Sequence, residues 1–255
     1  MMLDWGHAAA LAVRFLTRLP VPGEDPARFG RDIGRALLLF PWVGALVGAL
    51  AAVPLLFGAM LWPLPVAVLL ALALEARLTG ALHEDAVADL CDALGGGRSL
   101  EDRLRILKDS RVGSYGVLGL GLAVALRASG LIASGEAWRA AAILVVAGGF
   151  GRLLMLAAMV AVPAVPNRTS LAAGVAPRAG WGGLLLAMLL FLPLLALGAW
   201  VSAWGMLAAF GLGAGFLLSF RGLLLRLLGG STGDALGFAA YAGMLIATLA
   251  LAAKP

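Results

Sequence analysis

The sequence predicts an all-α, polytopic integral membrane protein with about seven transmembrane helices. Three observations carry that prediction. Hydrophobic residues make up 62% of the 255 positions and charged residues 13%, where soluble domains carry roughly a quarter charged residues. Mean hydropathy is +0.99, and apolar stretches of about 18 residues or more recur, each long enough to cross about 30 Å of hydrocarbon as a helix. Strand-period alternation over about ten residues, the mark of an outer-membrane barrel, is absent from the sequence.

Hydropathy places the spans near 34–58, 62–82, 115–134, 138–162, 181–200, 203–220 and 234–253. Residues 1–33 read as an amino-terminal interfacial segment. Asp4 precedes its short apolar run, and Arg14 and Arg18 interrupt it, which does not suit a cleavable signal. Trp62-Pro63, Ser134 to Trp138 and Trp200 to Trp204 mark tight turns, with tryptophans where an interfacial belt would hold them. Gly44-xxx-Gly48 and Gly211-xxx-Gly215 each permit a close helix crossing, a pattern frequent by chance in glycine-rich membrane sequences. The single cysteine, Cys91, excludes an intrachain disulfide and reads as a small packing residue.

The net charge of +5 is sorted by loop rather than gathered into a nucleic-acid surface. Arg14, Arg18, Arg28, Arg31 and Arg35 precede or open the first span, and Arg98, Arg103, Arg105, Lys108 and Arg111 lie between spans two and three. Arg168 and Arg178 follow the fourth, and Arg221 and Arg226 precede the last. The intervening loops hold Arg139 and little else. The positive-inside rule therefore puts the amino terminus and every charged loop in the cytoplasm, with the carboxyl terminus outside. Glu75, Arg77, Arg127 and Arg152 fall within or near spans, where a charge is expected to be paired or functional. Snorkelling is the alternative for Arg77 and Arg152.

Between spans two and three, residues 83–114 read as a structured cytoplasmic loop. It holds five ionisable side chains in ten positions: His83, Glu84, Asp85, Asp89 and Asp92. On a helix, Asp85, Asp89 and Asp92 fall at roughly 0°, 40° and −20°, so the three carboxylates share one stripe. Like charges at this spacing destabilise a helix. A cation is expected to offset them, and oxygen-only ligands favour Mg²⁺ or Mn²⁺ over zinc. His83 and Glu84 lie off the stripe, and His83 reads as a base, a phosphate donor or an interfacial residue. A helix over Asp85–Leu94 should stop at Gly95-Gly96-Gly97. Ser99, with Asp102 three residues on, should cap a second, amphipathic helix over Leu100–Lys108.

Two further segments suit a polyanion. Lys108-Asp109-Ser110-Arg111-Val112-Gly113 combines cations, a hydroxyl and exposed backbone amides, as a diphosphate would require. Gly229-Gly230-Ser231-Thr232-Gly233-Asp234 opens the last span and carries the only acid of the carboxyl-terminal hundred residues. A flexible turn with Asp234 near an N-cap is the plainer reading of that segment.

With these residues in place, the chain resembles the cobalamin (5′-phosphate) synthases, also called adenosylcobinamide-GDP ribazoletransferases. The likeness runs through Phe15-Leu16-Thr17-Arg18-Leu19-Pro20-Val21-Pro22, Phe40-Pro41-Trp42-Val43-Gly44, Thr79-Gly80-Ala81-Leu82-His83-Glu84-Asp85 and Ala88-Asp89-Leu90-Cys91-Asp92. It continues through Lys108 to Gly113 and ends at Gly229 to Gly237, in family order over nearly the whole chain.

The resemblance implies that 1–255 is one membrane-embedded catalytic domain of the bacterial inner membrane, acting late in cobalamin biosynthesis. It would join adenosylcobinamide-GDP to α-ribazole or its 5′-phosphate and release GMP, with Mg²⁺ as cofactor. It implies no nucleic-acid partner, and leaves a homo-oligomer open. Under this resemblance Asp85, Asp89 and Asp92 hold Mg²⁺ against the diphosphate, and one of them or His83 takes the proton of the attacking hydroxyl. Lys108, Ser110, Arg111 and Arg18 hold phosphates, with Thr232 in the substrate loop, while Asp109 and Asp234 complete the metal or hydroxyl contacts.

The chain departs from the family pattern at Ala86, where glycine is usual, and at Glu84, where an apolar residue is usual. Tyr241 and Met244 stand where the last helix tends to carry a glutamate. Either Glu84 substitutes for that acid as a metal ligand, or the acid is dispensable. The nearest rival is a CDP-alcohol phosphotransferase, whose Asp-x-x-Asp-Gly-x-x-Ala-Arg run this sequence lacks. A transporter is a more distant rival, since the ionisable groups gather at one face and no internal repeat is seen.

Overall fold

The computed structural model describes residues 5–21, 26–166 and 180–253, in which ten helices account for nearly all ordered backbone. They are α1 (Trp5–Leu16), α2 (Pro26–Gly58), α3 (Leu64–Thr79), α4 (Leu82–Gly96) and α5 (Leu100–Ile106). After these come α6 (Ser114–Ala133), α7 (Ala137–Ala161), α8 (Trp181–Leu190), α9 (Leu192–Leu227) and α10 (Gly233–Ala252). No strand forms among the described residues; a lone bridge joins Ala164 to Ser231. Arg168 and Arg178 lie outside the described residues.

The bundle is organised around α7, whose apolar window is 83% buried, the largest share of any candidate span. Glycine makes this possible. A Cβ at Gly44 would overlap the carbonyl oxygen of Gly148, and one at Gly48 would overlap that of Leu144, so α2 and α7 touch backbone to backbone. On the other side, a Cβ at Gly151 would overlap the carbonyl oxygen of Ala240 on α10. Gly211 and Gly215, with the same spacing as Gly44 and Gly48, have no atom within 4 Å of a Cβ position and mark no crossing.

Five described helices are long and apolar enough to cross a bilayer, six if α3 and α4 count as one bent segment. The seven spans expected from hydropathy are not reached by that measure, for two reasons. First, the second span breaks. Gly80 caps α3 in the left-handed region at φ 68°, Ala81 follows at φ 57°, and the axis turns by 88° into α4. Second, α8 has only ten residues, and α9 is two arms read as one helix. Ser202 leaves helical geometry at φ −162° and ψ 106°. Phe191 and Phe210 then bring their ring centroids within 6.4 Å, where a straight helix would hold positions 191 and 210 about 28 Å apart. The chain therefore doubles back at Ser202, whose Oγ caps the second arm by accepting from the Gly205 N–H at 3.0 Å.

The acidic helix, expected over Asp85–Leu94 within a cytoplasmic loop, forms as Leu82–Gly96 and packs into the bundle. Gly95 lies on Tyr115, Asp92 on Gly116 and Cys91 on Gly119, so α4 runs antiparallel to the first half of α6. Val87 clusters with Tyr241 and Met244 of α10, against Leu120 and Val124. The amphipathic α5 starts as expected, with Ser99 Oγ accepting from the Asp102 N–H at 3.1 Å.

Candidate functional site

The starts of α6 and α10 and the ends of α7 and α9 gather at one end of the bundle. Val165 N–H donates to the Ser231 carbonyl at 3.1 Å, Ser231 N–H donates to that of Pro163 at 2.8 Å, and Arg221 Nε donates to that of Ala161 at 3.0 Å. Gly230, at φ 154°, sits so close to Pro163 and Ala164 that no side chain fits there. This pinned turn presents α10, whose N-terminus Thr232 caps by accepting the Ala235 N–H at 3.2 Å. Asp234 follows in its first turn.

The stripe on α4 faces this turn. Asp85 is exposed, Asp89 half-buried and Asp92 buried. Asp89 feels the charges of Asp85, Asp234 and Asp92, in that order. The structure thus gathers four acids from two helices, one of them about 150 residues along the chain.

Asp92 differs from its neighbours in what it touches. One of its oxygens accepts the Gly113 N–H at 2.7 Å and the other accepts the Gly116 N–H at 2.8 Å. A carboxylate of α4 therefore caps α6, because the first N–H groups of a helix have no partner within it. Asp92, expected as a third metal ligand, anchors the two helices to one another. Among the described residues, no three acids, histidines or cysteines converge closely enough to hold a metal by themselves. Carboxylates that share an ion with substrate phosphates fit this arrangement, since Mg²⁺ typically takes only one or two protein carboxylates.

The basic loop hangs from the same anchor. Lys108, Ser110 and Arg111 are exposed between α5 and Gly113. Arg111 grips Asp109 through two nitrogens, Nε at 3.0 Å and Nη2 at 2.7 Å. That contact pulls the Asp109 carboxyl down to about 2. Asp109 therefore orients Arg111. Arg18 is exposed at the α3–α4 corner. Its backbone N–H donates to the Leu78 carbonyl at 2.7 Å, and its guanidinium lies across Gly80, where a Cβ would collide with it.

His83 and Glu84 are placed elsewhere. His83 is 1% exposed, on the face of α4 turned toward α10, and neither ring nitrogen has a partner among the described residues. Glu84 lines a cavity of about 250 Å³ with Arg127 and Tyr241, behind α4. One residue along a helix is a turn of about 100°, which puts Glu84 off the stripe of Asp85 and Asp89.

Reading the sequence anticipated partners for the intramembrane charges without naming them. Arg127 Nη2 donates to both oxygens of Glu75, at 3.0 and 2.8 Å. The involvement of Tyr241 beside this pair was missed, and its only signal was a hydroxyl within an apolar helix. The signal for the Asp92 cap was the glycine pair at 113 and 116.

Fold and site together define a membrane-embedded, all-helical protein with a polar, acid-rich centre at one end of its bundle. Residues 8–252 match the family model described as cobalamin-5-phosphate synthase. The chain belongs to that family. It is 39% identical to the adenosylcobinamide-GDP ribazoletransferase of Bradyrhizobium diazoefficiens, over 95% of this chain and 92% of that protein. It is 40% identical to the one from Azorhizobium caulinodans over 89% and 88%, and 37% identical to the one from Leptothrix cholodnii over 92% and 93%. No solved structure matches the chain.

Proposed function

We infer that this chain is an adenosylcobinamide-GDP ribazoletransferase, which transfers the adenosylcobinamide-phosphoryl group to α-ribazole or its 5′-phosphate. The products are adenosylcobalamin or its 5′-phosphate, and GMP. Family membership over almost the full length supports the reaction, as do the names of relatives of which it covers 88–92%. The observation that carries the site is the nearness of Asp85 and Asp234 to Asp89, beside a basic loop tethered through Asp92.

The reaction forms one bond from phosphorus to the ribazole hydroxyl oxygen and breaks one from phosphorus to the GMP oxygen. Such chemistry depends on positioning and charge neutralisation. Two of Asp85, Asp89 and Asp234, together with substrate phosphate oxygens, would hold Mg²⁺, which when bound would neutralise the diphosphate and the leaving GMP. Lys108, Ser110, Arg111 and Arg18 are placed to bind phosphate oxygens, Arg111 by exchanging its Asp109 contact for a substrate one. A carboxylate oxygen of the stripe would accept the proton of the attacking hydroxyl. Thr232 sets the substrate loop by capping α10.

Basic residues of the described chain cluster at the site end, with Arg139 at the other. By the positive-inside rule the site faces the cytoplasm from the inner membrane. The test is to incubate purified protein in lipid nanodiscs with adenosylcobinamide-GDP, ribazole phosphate and Mg²⁺. Mass spectrometry should find GMP and cobalamin phosphate in equal amounts. Release of GMP without a corrinoid product would argue for a hydrolase instead.

A further inference from the structure

Between α7, α8 and the second arm of α9 runs an apolar groove that the reaction does not use. The part nearer Ser202, about 480 Å³, is lined by Leu153, Leu185, Met188, Leu195, Leu207 and Phe210 among others. The part nearer the site end, about 150 Å³, shares Leu153, Met188 and Phe210 and continues past Ala157, Gly213 and Leu217. Every residue lining either part is a hydrocarbon side chain, a methionine or a glycine. Such a space does not hold water. Leu185, Met188 and Leu207 are exposed on its rim, so the groove opens sideways, toward the bilayer that the long apolar helices require.

The groove has a direction. Trp138 and Trp200 meet at the far end of the bundle, with ring centroids 5.1 Å apart. Phe150, Phe191 and Phe210 meet halfway, their centroids within 6.4 Å of one another. From there toward the site end, Leu153 and Ala157 form a row on α7, and Gly213 and Leu217 form a row on α9. One turn further along these rows stand Ala161 and Arg221, and they are joined, since Arg221 Nε donates to the Ala161 carbonyl at 3.0 Å. Arg221 therefore sits at the mouth of the groove. It is exposed, and no ion pair among the described residues includes it. From Phe210 to Arg221 the helix rises about 16 Å, close to the roughly 15 Å of hydrocarbon in one leaflet. An apolar track of that depth with a cation at its outer end matches a phospholipid, tail inward and phosphate outward.

We propose that this groove binds an acyl chain of an anionic phospholipid whose phosphate is held by Arg221. A guanidinium grips phosphate through two parallel N–H bonds. With Nε engaged by Ala161, the two terminal nitrogens of Arg221 supply them. A free phosphate would gain only the arginine, and a zwitterionic lipid carries its own cation beside the phosphate. Groove and charge together select the anionic lipid. This binding does not depend on the reaction inferred above.

Native mass spectrometry of the full chain in detergent tests it, with phosphatidylglycerol and phosphatidylcholine of equal chain length offered in equal amounts. The parent should retain phosphatidylglycerol about fivefold over phosphatidylcholine, and Arg221→Gln should bring that ratio close to one. Arg226→Gln removes the same charge from the same helix, about 140° further round it, and should leave the ratio as in the parent. Ala214→Phe narrows the groove without touching the arginine and should lower retention of both lipids. Glycerol phosphate should not displace the bound lipid. Equal retention of the two lipids by the parent would overturn the proposal, as would a parental ratio in Arg221→Gln or parental retention in Ala214→Phe. Displacement by glycerol phosphate would mark a phosphate site alone and overturn it. A parent that retains no lipid and forms a dimer lost in Ala214→Phe would give the groove to a second copy, and overturn it too. The measurement needs no turnover, so a parent that releases no GMP would remove the inferred function and leave the lipid site standing.

Discussion

At the residue scale, three aspartates with one spacing do different work. Asp85 and Asp89 look outward, while Asp92 is consumed by two backbone donors, 21 and 24 residues along the chain. Hydrogen bonds to a charged group contribute about 1.5–3 kcal/mol each. Asp92→Ala should therefore lower the unfolding free energy by roughly 3 kcal/mol or more, with Gly113 and Gly116 left unpaired, as denaturation in detergent would measure. Asp89→Asn should keep the parental stability and lose GMP release. The stripe was legible from helical periodicity alone. The division of labour was not, because spacing says which way a carboxylate points and not which distant backbone meets it. Glu84 shows the same limit: helical spacing sets it off the stripe, and only the packing of the neighbouring helices shows that it lines a cavity with Arg127 and Tyr241. The absence of an acid at Met244 then has a structural counterpart, since that thioether lies against Arg152.

At the scale of elements, the glycine crossing of α2 on α7 and the basic loop make separate predictions. Gly44→Ala would push a methyl into the Gly148 carbonyl and should destabilise by about 1–3 kcal/mol or more. Gly211→Ala meets open space and should leave the unfolding temperature unchanged. Both glycines belong to the same sequence pattern, and only the neighbouring helix decides which one matters. In the basic loop, the Asp109 carboxyl sits at about 2, below the roughly 3.9 of an unfolded chain. A depressed acid adds stability above its unfolded value and loses it as pH falls through the folded one. The Asp109–Arg111 clamp should therefore stay intact at any pH above about 4, and no limb of a pH–rate profile between 5 and 9 should come from it. Asp109→Asn should raise KM for the diphosphate substrate more than it lowers kcat, by leaving Arg111 unoriented.

At the scale of the whole molecule, membrane character and the gathering of charge at one end were legible from composition and from the alternation of basic residues. The number of crossings was less so. Hydropathy placed a turn near Trp200 to Trp204, and the chain does reverse there, at Ser202. It did not foresee the 88° break at Gly80 and Ala81, which brings the acidic helix into the bundle instead of leaving it in a loop. A left-handed alanine has no sequence signature, and the packing of Arg18 across Gly80 joins segments about 60 residues apart. This break gives α4 two working faces, one toward the substrate and one toward the buried charges.

The central claim is that the acids of α4 and α10 hold magnesium against a diphosphate at the bundle end. Its most direct test is a Mg²⁺ titration of GMP release in the parent and in Asp89→Asn, with chelator as the zero point. The account predicts no release in chelator, saturable release in the parent, and none from Asp89→Asn at any Mg²⁺ concentration. Undiminished release in chelator, or parental release from Asp89→Asn, would contradict it.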